Sequence, residues 1–355
     1  MSDLVLPAAS RSRRGLRRDW LGGPVPDLAM LLGAPTLALV AGLLVGIDRR
    51  WLPALILVDI WLLGYHHVVA TFTKLAGTAE DRRRHRFLLY GLPWVVLGAT
   101  ALVAATAGIW LVATVYFFWQ WFHYTRQSYG IERAYRRRSG GISWDSPRLS
   151  EATLWSVPVL GILYRSAQHP ARFLGFGIWM PRVPWIIVEA VGAATAALVA
   201  LWVAERIAAW RRGELPLAHT LYLASHFAVF CAGYVLVDDI DQGWLAVNVW
   251  HNAQYIAFVW IYNRGRFAAG VRDDARVLSW LSQAGARRAA LYFGACLGVT
   301  LVAYRLIAWL AGAISVQLRV AVLTVLLVAV MAVNFHHYVA DALIWRRRAG
   351  AAPAG

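Results

Sequence analysis

Long apolar stretches alternate with short polar segments along the 355-residue chain. An apolar stretch of about 20 residues is long enough to cross the hydrocarbon core of a bilayer as an α-helix. The pattern predicts ten such spans, placed to within several residues at 28–47, 52–73, 87–107, 109–125, 152–168, 184–204, 217–237, 244–262, 289–310 and 318–342. The expected fold is therefore all-α, a polytopic transmembrane helical bundle of about ten spans.

Arginine-rich segments between the apolar stretches predict the orientation of the bundle, because cytoplasmic loops of membrane proteins carry an excess of arginine and lysine. These segments are 11–18, 82–86, 126–138, 206–212, 264–287 and 346–348. Ten spans with both termini in the cytoplasm place all of them on one side, with Arg49, Arg50 and a few arginines between Arg165 and Arg182 as exceptions. The predicted units are a basic cytoplasmic N-terminal segment, a single transmembrane helical domain and a basic cytoplasmic tail, at 1–27, 28–345 and 346–355.

The composition agrees with membrane insertion and limits the other classes of function. Hydrophobic residues make up 59% of the chain, and the mean hydropathy is +0.52. The net charge of +16 would suggest nucleic-acid binding in a soluble protein, but here the basic residues lie between spans, so no nucleic-acid partner is expected. Cys231 and Cys296 both fall within apolar stretches, which supports neither a disulfide framework nor a thiolate metal site. The expected location is a bacterial-type inner (cytoplasmic) membrane, which the chain crosses many times in contact with membrane lipids.

Histidines lie inside the predicted spans, most of them in one layer of the membrane. Spans two, four, eight and ten run from outside to inside, and all four carry histidines in or near their cytoplasmic halves. His219 lies at the cytoplasmic start of the seventh span, and the seven other histidines within spans are His66, His67, His123, His226, His251, His336 and His337. Ionisable groups inside a membrane are energetically expensive and mark functional sites in the bundle interior. Because neutral imidazole is a favoured ligand of iron, zinc and copper, these residues predict a metal centre in the cytoplasmic half of the bilayer.

The seven histidines are not equivalent candidates. A single intramembrane histidine more often hydrogen-bonds to another helix than binds a metal, and adjacent histidines on a helix point about 100° apart. The candidate ligands are His66, His123, His226, His251 and His337 first, and then His67, His336 and Asp341. Because seven histidines exceed one four-ligand site, either two metals or one metal with catalytic histidines is expected. Outside this set, His85 and His169 are expected in loops, and His219 stays undecided.

Helical spacing supplies partners for these histidines. His337 and Asp341 are four residues apart and share a helix face, and Asp59 precedes His66 by seven residues, again on one face. Metal-bound imidazole usually donates its second N–H group to a carboxylate, amide or carbonyl. The candidate catalytic residues or outer hydrogen-bond partners are Asp59, Gln127, Glu132, Gln254 and Tyr255.

The segment 126–138, which follows His123, is rich in arginine and tyrosine. One interpretation is an interfacial amphipathic extension whose arginines bind anionic lipid. The other is that Arg126, Arg133 and Arg264 bind the anionic head group of a lipid-like substrate. Glu132 in the same segment is a candidate ligand or acid–base group, and the sequence leaves both interpretations open.

The histidine pattern resembles that of histidine-rich integral-membrane non-haem iron oxygenases, such as fatty-acid desaturases, hydroxylases and alkane monooxygenases. The likeness rests on histidines near cytoplasmic helix ends, including the pairs His66–His67 and His336–His337. Bacterial membrane carotenoid-cleaving dioxygenases are similar to a comparable degree. The chain has neither the His-x-x-x-His nor the His-x-x-His-His box of the desaturases, so the resemblance covers the chemistry of the site only.

The resemblance implies an O2-dependent metalloenzyme that oxidises a hydrophobic or lipid-like substrate. Iron, as one ion or two, is the implied metal, and an external electron donor is the implied partner. Zinc, copper and haem stay open, because imidazole binds all of them. The other functions left open are a haem-bearing electron-transfer protein, a transporter with a His/Asp relay and a zinc-dependent hydrolase.

Overall fold

The structure is a computed structural model that describes residues 16–17, 19–140 and 146–345. In chain order the helices are α1 Pro24–Ile47, α2 Trp51–Leu75, α3 Ala79–Arg84, α4 Arg86–Tyr90, α5 Leu92–Thr106, α6 Ile109–Ser139, α7 Pro147–Gln168, α8 Trp185–Arg211, α9 Leu217–Leu236, α10 Ile240–Arg266, α11 Arg276–Leu281, α12 Ala286–Leu318 and α13 Val322–Ile344. Strand β1 (Leu16–Arg17) pairs in parallel with β4 (Leu215–Pro216), and β2 (Arg172–Phe173) forms an antiparallel hairpin with β3 (Phe176–Gly177).

Six helices of the described chain are long and apolar enough to cross a membrane: α1, α2, α8, α9, α12 and α13. They indicate a multi-pass membrane protein, and the expected all-α helical class is confirmed at this level. Each of the ten predicted spans coincides with helical residues over most of its length, although 87–107 covers two helices and 318–342 begins in the connection before α13. The number of about ten crossings and the cytoplasmic placement of the termini stay predictions, and residues 1–15 and 346–355 lie outside the described chain.

The surface and the interior of the bundle have the polarity of a membrane protein. Apolar side chains point outward along the helices; Leu43, Val302 and Leu323 are 63%, 72% and 67% exposed. Polar side chains such as Gln120 and Asn248 are buried inside. Because lipid offers no hydrogen bonds, polar groups in a membrane bundle are satisfied between helices instead of at the surface.

Helix α10 lies at the centre of the bundle. Every residue from Gly243 to Asn252 is buried, as expected for a helix that other elements surround. It packs against α1, α2 and α9, whereas α13 packs against α2, α5, α6 and α12. Helices α8 and α12 lie at the periphery and expose most of their apolar surface. The interior faces of α2, α6, α10 and α13 therefore define the core region in which chemistry can occur.

Three of the long helices contain a π-helical turn, at Ala29–Gly33, Ile60–Gly64 and Ala232–Leu236. Such turns add residues to a helical turn and often mark functional sites. At the end of α9 the wholly buried guanidinium of Arg165 donates to the carbonyls of Gly233 (2.9 Å) and Asp238 (2.7 Å) and also to that of Val237. These bonds satisfy carbonyls that the end of a helix leaves without an intrahelical partner.

Candidate metal centre

Four buried imidazoles from four different helices meet in the core: His67 of α2, His123 of α6, His251 of α10 and His337 of α13. One ring nitrogen from each of His67, His123 and His251 lies within 4.8 Å of the others. The Nε2 atom of His337 lies 2.7 Å from Nε2 of His67 and 3.2 Å from Nε2 of His123. We refer to these four residues as the histidine cluster.

The spacing of the nitrogens suits a shared metal ion. Metal–imidazole bonds of about 2.0–2.1 Å place neighbouring ligand nitrogens roughly 3 Å apart. Neutral imidazoles whose nitrogens face one another bring lone pairs together, and lone pairs repel. An N–H···N hydrogen bond removes this repulsion for one pair of nitrogens only. A protonated imidazole would place a positive charge in a buried, low-dielectric interior, which is costly unless that charge is paired. A metal cation satisfies several of these lone pairs at once.

Several imidazole nitrogens inside the bundle make no hydrogen bond within the described part of the chain. In the cluster these are Nδ1 of His67 and Nδ1 of His251, and outside it they include Nε2 of His66 and Nδ1 of His226. Buried polar atoms are nearly always hydrogen-bonded, so an unpaired one requires an explanation. Because such nitrogens occur both inside and outside the cluster, the convergence of the four imidazoles, and not the unpaired nitrogens, identifies the site.

The π-helical turn Ile60–Gly64 explains why α2 presents His67, and not His66, to the cluster. A π-turn holds more residues than an α-turn, so each residue in it rotates the chain less. Asp59 before the turn contacts Asn252 of α10 at 3.3 Å, and the His67 ring after it lies 4.6 Å from the His251 ring of the same helix. The two side chains are eight residues apart and share the face towards α10, where a regular helix would bring Asp59 and His66 together.

Aromatic rings enclose the histidine cluster. Tyr338 stacks on His123 with ring centroids 4.4 Å apart and planes at 25°. The rings of Tyr124 and His251 lie 4.0 Å apart, and those of Tyr255 and His67 lie 4.4 Å apart. Packed rings leave little room for water, so the cluster lies in a dry pocket whose chemistry is shielded from bulk solvent.

A chain of hydrogen bonds orients His337. Its Nδ1 lies 3.0 Å from Oγ1 of Thr71, which donates to the Tyr255 hydroxyl at 3.1 Å. Tyr255 in turn donates to Asp341, which also accepts the indole N–H of Trp345 at 2.9 Å. The chain ends at a carboxylate, which accepts hydrogen bonds. Each group in the chain therefore donates towards Asp341, and Nδ1–H of His337 donates to Thr71. The lone pair on Nε2 then faces the other imidazoles, as in metal-bound histidines.

A second polar layer lies next to the cluster, on the side of Asp59. Asp59 accepts from the side chains of Asn248 and Asn252, and Asn248 accepts from the hydroxyl of Tyr124. Gln120 extends this layer by accepting the indole N–H of Trp244 at 2.8 Å. Asp59 is thus linked to the cluster through Tyr124, which packs on His251, and it makes no direct contact with a clustered imidazole among the described residues.

The other three candidate histidines lie elsewhere and bridge helices. His336 donates from Nε2 to the Leu88 carbonyl at 2.7 Å, and His226 donates to the Leu154 carbonyl at 3.0 Å. His66 packs edge-on against Phe293 at 6.1 Å. The structure therefore brings one member of each His–His pair to the cluster. Asp341 reaches it only through Tyr255 and Thr71.

The remaining candidates lie around the cluster or near the arginine-rich end of the bundle. Gln127 donates to the His251 carbonyl at 3.4 Å, and Gln254 accepts from Tyr222 at 3.3 Å. Glu132 pairs with Arg136 and with His219, whose Nε2 lies 2.9 Å away. Glu132 thus lies in one buried ion-pair cluster with His219, the residue whose role the sequence left undecided.

The three candidate head-group arginines lie against aromatic rings. Arg126 and Arg133 both lie over the ring of Tyr129, at 5.9 and 5.5 Å. Arg264 lies 5.6 Å from the Trp260 ring and donates to the Gly22 carbonyl at 3.2 Å. Arg126 and Arg133 occupy one helix face and are available together to an anionic group, whereas Arg264 is engaged by the N-terminal segment.

Thr71, Tyr124 and Tyr338 belong to the site and were not among the sequence candidates. Thr71 follows His67 by one helical turn, which is the spacing that also relates Tyr255 to His251 and Asp341 to His337. Tyr124 and Tyr338 directly follow His123 and His337. The i, i+4 spacing could have identified Thr71. The two tyrosines contact imidazoles of other helices, and no spacing within one helix reveals that.

No protein-family model, no curated protein and no solved structure matches the chain.

Proposed function

We propose that the chain is an integral-membrane metalloenzyme whose metal is held by His67, His123, His251 and His337. The convergence of four imidazoles from four separate helices supports this function. In a multi-pass protein of a bacterial-type inner membrane with ten spans and cytoplasmic termini, this cluster lies in the cytoplasmic half of the bilayer. The polar layers on both sides of the cluster position its ligands.

We propose iron as the metal. An all-nitrogen ligand set suits iron, copper and zinc, and it disfavours magnesium and calcium. Four protein ligands close the tetrahedral shell of zinc, whereas catalytic zinc keeps one position open. Iron accepts up to six ligands, so four imidazoles leave two positions for O2 and substrate. A single ion is favoured, because His226 and His336 are already engaged by backbone carbonyls.

The proposed reaction is O2-dependent oxidation of a hydrophobic or lipid-like substrate. The cluster is buried among membrane helices, and rings of Tyr124, Tyr255 and Tyr338 surround it. A site of this kind admits apolar substrates and O2 from the lipid and protects reactive species from water. Arg126 and Arg133 are the proposed contacts for an anionic head group. An external electron donor supplies the electrons that the substrate does not.

Metal analysis of the purified protein tests this function, with the adjacent histidines as matched controls. Wild-type protein expressed with sufficient iron is expected to carry about one iron per chain. His67→Ala and His337→Ala should each lose most of it, because a ligand is removed. His66→Ala and His336→Ala remove the same side chain one position away and should retain wild-type iron.

Two outcomes would contradict the proposed function. One is a wild-type protein without a transition metal under metal-replete conditions. The other is equal metal loss in the ligand variants and in the adjacent controls, which would point to general unfolding. A strong Soret band would assign the histidines to haem instead, and one zinc per chain without iron would favour the hydrolase.

A further inference from the structure

Lys74 is the only lysine among the 35 lysine and arginine residues of the chain. It lies in the last turn of α2, and it is only 6% exposed. A guanidinium group stays protonated in proteins, whereas a lysine amine can lose its proton and then act as a nucleophile. The chain therefore has a single side-chain amine, and that amine is buried at one end of the bundle.

The amine of Lys74 lies among aromatic groups. Its Nζ atom donates to the hydroxyl of Tyr262 and lies 4.3 Å from the centre of that ring. The centre of the Trp345 ring is 5.4 Å from the same atom. Aromatic rings attract a cation, but they supply no full negative charge to neutralise it.

The charges around Lys74 are mostly positive. The charged side chains that act on it are Arg266, Asp81 and Arg84. The one carboxylate, on Asp81, is paired with Arg266 at 2.7 Å, and Lys74 forms no ion pair within the described part of the chain. A buried positive charge beside two other positive charges is costly. Converting the amine to a negatively charged group would remove this cost and give both guanidinium groups a partner.

We propose that Lys74 is carboxylated by CO2, so that its side chain ends in a carbamate. The ammonium first loses a proton to water. The nitrogen lone pair then bonds to the carbon of CO2, one C=O π bond breaks, and its electrons move to that oxygen. The nitrogen loses a second proton to water, and nothing is oxidised or reduced.

The surroundings of Lys74 suit the product and the reagent. A carbamate carries a negative charge on two oxygens, which is the geometry that the forked guanidinium groups of Arg84 and Arg266 bind well. CO2 is small and uncharged, so it can reach an amine that is buried at the end of an apolar helix. Lys74 lies two helical turns after His67 and touches no imidazole of the histidine cluster among the described contacts. The inference is therefore independent of the proposed metal.

Equilibration of the full-length protein in detergent with ¹³C-labelled CO2 tests the site. The carbamate carbon has a ¹³C NMR resonance distinct from those of bicarbonate and dissolved CO2. Alkylation with triethyloxonium then fixes the carbamate as an ester, and mass spectrometry of the peptides locates it. Label on Lys74 is expected in the wild-type protein. No label on Lys74 at saturating CO2 would overturn the proposal.

A lysine at an exposed position provides the reference. Lys74→Arg keeps a positive charge and removes the amine, so the side-chain label should disappear. In the double variant Lys74→Arg/Arg287→Lys the single lysine is exposed at the start of α12. An exposed lysine is almost wholly protonated at neutral pH, so it should carry at least about tenfold less label than Lys74 in the wild type. Equal label at the two positions would mean that any lysine reacts, which would contradict a dedicated site.

Two adjacent arginines test the charges that hold the carbamate. Arg84 acts on Lys74, whereas Arg83 is not among the charged groups that do so within the described residues, and both are exposed on α3. Arg84→Gln should lower the label on Lys74 about twofold to fivefold, the effect of losing one exposed ion pair. Arg83→Gln should label as the wild type does. Unchanged label in Arg84→Gln would refute the charge argument, and this pair of variants stands even if Lys74→Arg misfolds.

Two further measurements separate this inference from its alternatives. A bound anion would neutralise the same site, so phosphate that protects Lys74 from acylation, without any carbamate in labelled CO2, would overturn carboxylation. Metal analysis of the same samples distinguishes the inference from the proposed function. Carbamate on Lys74 in a protein that holds no metal would support the inference and refute the metalloenzyme, and metal without carbamate would do the reverse.

Discussion

At the scale of single residues, the Thr71 hydroxyl determines which nitrogen of His337 faces the other imidazoles. It lies between Nδ1 of His337 and the hydroxyl of Tyr255, and Asp341 ends the chain. Removing it leaves Nδ1 without its acceptor and lets the imidazole rotate or change tautomer. The ligand geometry of His337 therefore depends on a residue that does not itself bind metal.

Thr71→Val should weaken metal binding by about tenfold to a hundredfold, the range for outer partners of metal-bound histidine. Valine keeps the shape of threonine and removes only the hydroxyl. The measurement is the metal dissociation constant from competition with a chelator. Thr71→Ser restores a hydroxyl and should recover most of the affinity.

Thr73→Val is the control for this prediction. Thr73 lies on the same helix and hydrogen-bonds to Asn263 (2.8 Å) and Tyr292 (3.2 Å), away from the histidine cluster. It should leave metal affinity unchanged even if it lowers stability. Equal loss of affinity in both variants would show that Thr71 acts on the fold and not on His337.

At the scale of secondary structure, the π-turn of α2 selects between two adjacent histidines. Deleting one residue from Ile60–Gly64 should convert the turn to regular α-helix and leave the direction of the following residues unchanged, because the π-turn holds one residue more than the regular helix needs. Leu62 is the residue to delete, because its side chain is half exposed to lipid and fills no core position. In this background His67 becomes the seventh residue after Asp59 and keeps the direction that it has in the wild type.

The Leu62 deletion should leave the metal dependence on His67. The deletion variant with His66→Ala is expected to bind metal, and the deletion variant with His67→Ala is expected to lose it. Metal content is the readout, and far-UV circular dichroism checks the helix content. Dependence on His66 after the deletion, or loss of metal from the deletion variant itself, would mean that the π-turn does not set the direction of the imidazole.

Asp81 anchors the short helix α3 to the end of α10. Its carboxylate pairs with Arg266 at 2.7 Å and accepts from the backbone and hydroxyl of Thr78 in a capping box. Burial favours a higher pKa for Asp81, but the bonds from Arg266 and Thr78 outweigh it and hold the pKa below its ordinary value of 3.8. The anchor is therefore complete above about pH 4.

Acid should release this anchor. Because the folded-state pKa of Asp81 is lowered, its stabilisation is present above the unfolded pKa and is lost as pH falls through the folded value. Asp81→Asn should lower the free energy of unfolding by about 1–2 kcal/mol at pH 7 and show a smaller further loss below pH 4. Thermal unfolding followed against pH checks this. Identical acid sensitivity of variant and wild type would contradict the role of Asp81.

At the scale of the whole molecule, hydropathy was enough to predict the helices and not enough to predict their arrangement. Apolar length is a local property, so each predicted span coincides with helical residues over most of its length. Polar residues in α6 and α10, such as those around Asn248, make these two helices less apolar than the six that are apolar enough to cross a membrane. Their polar faces surround the site, so two of the four helices that carry the histidine cluster are identified poorly by composition, whereas α2 and α13 are identified well.

The histidine cluster could be predicted only in part, for a related reason. That histidines of four helices meet follows from their similar depth, which the spacing of the spans predicted. Which member of His66–His67 points inward depends on a π-turn that has no strong sequence signature. The bonds of His226 and His336 to carbonyls depend on neighbouring helices, which the chain pattern does not reveal. The sequence thus predicts the depth of a side chain in the membrane, but it does not predict the direction in which that side chain points around the helix axis.

Contacts between loops agree with the sides of the membrane predicted for those loops. Arg49, an exception to the arginine rule, pairs with Asp239 and Asp241 of the turn before α10. The β2–β3 hairpin joins the same end through the Leu174 amide, which donates to Asp241 at 2.8 Å. All three segments are predicted to lie outside. At the other end Asp81 pairs with Arg266, and both lie in segments predicted to be cytoplasmic. Arg49 is therefore neutralised by its partners and does not oppose the orientation that the other arginines favour.

Reporter fusions should place both chain ends and every arginine-rich connection in the cytoplasm. Green fluorescent protein fused after Gly355 or after Gly270 should fluoresce, because it folds in the cytoplasm. Alkaline phosphatase fused after Gly108 or after Asp238 should be active, because it needs the oxidising outer compartment. The reason is that arginines near span ends resist transfer across the membrane, and the connections at Gly108 and Asp238 carry few of them. Phosphatase activity at Gly355 would mean that the chain crosses the membrane an odd number of times. The histidine cluster would then not lie in the cytoplasmic half of every helix that contributes a histidine to it.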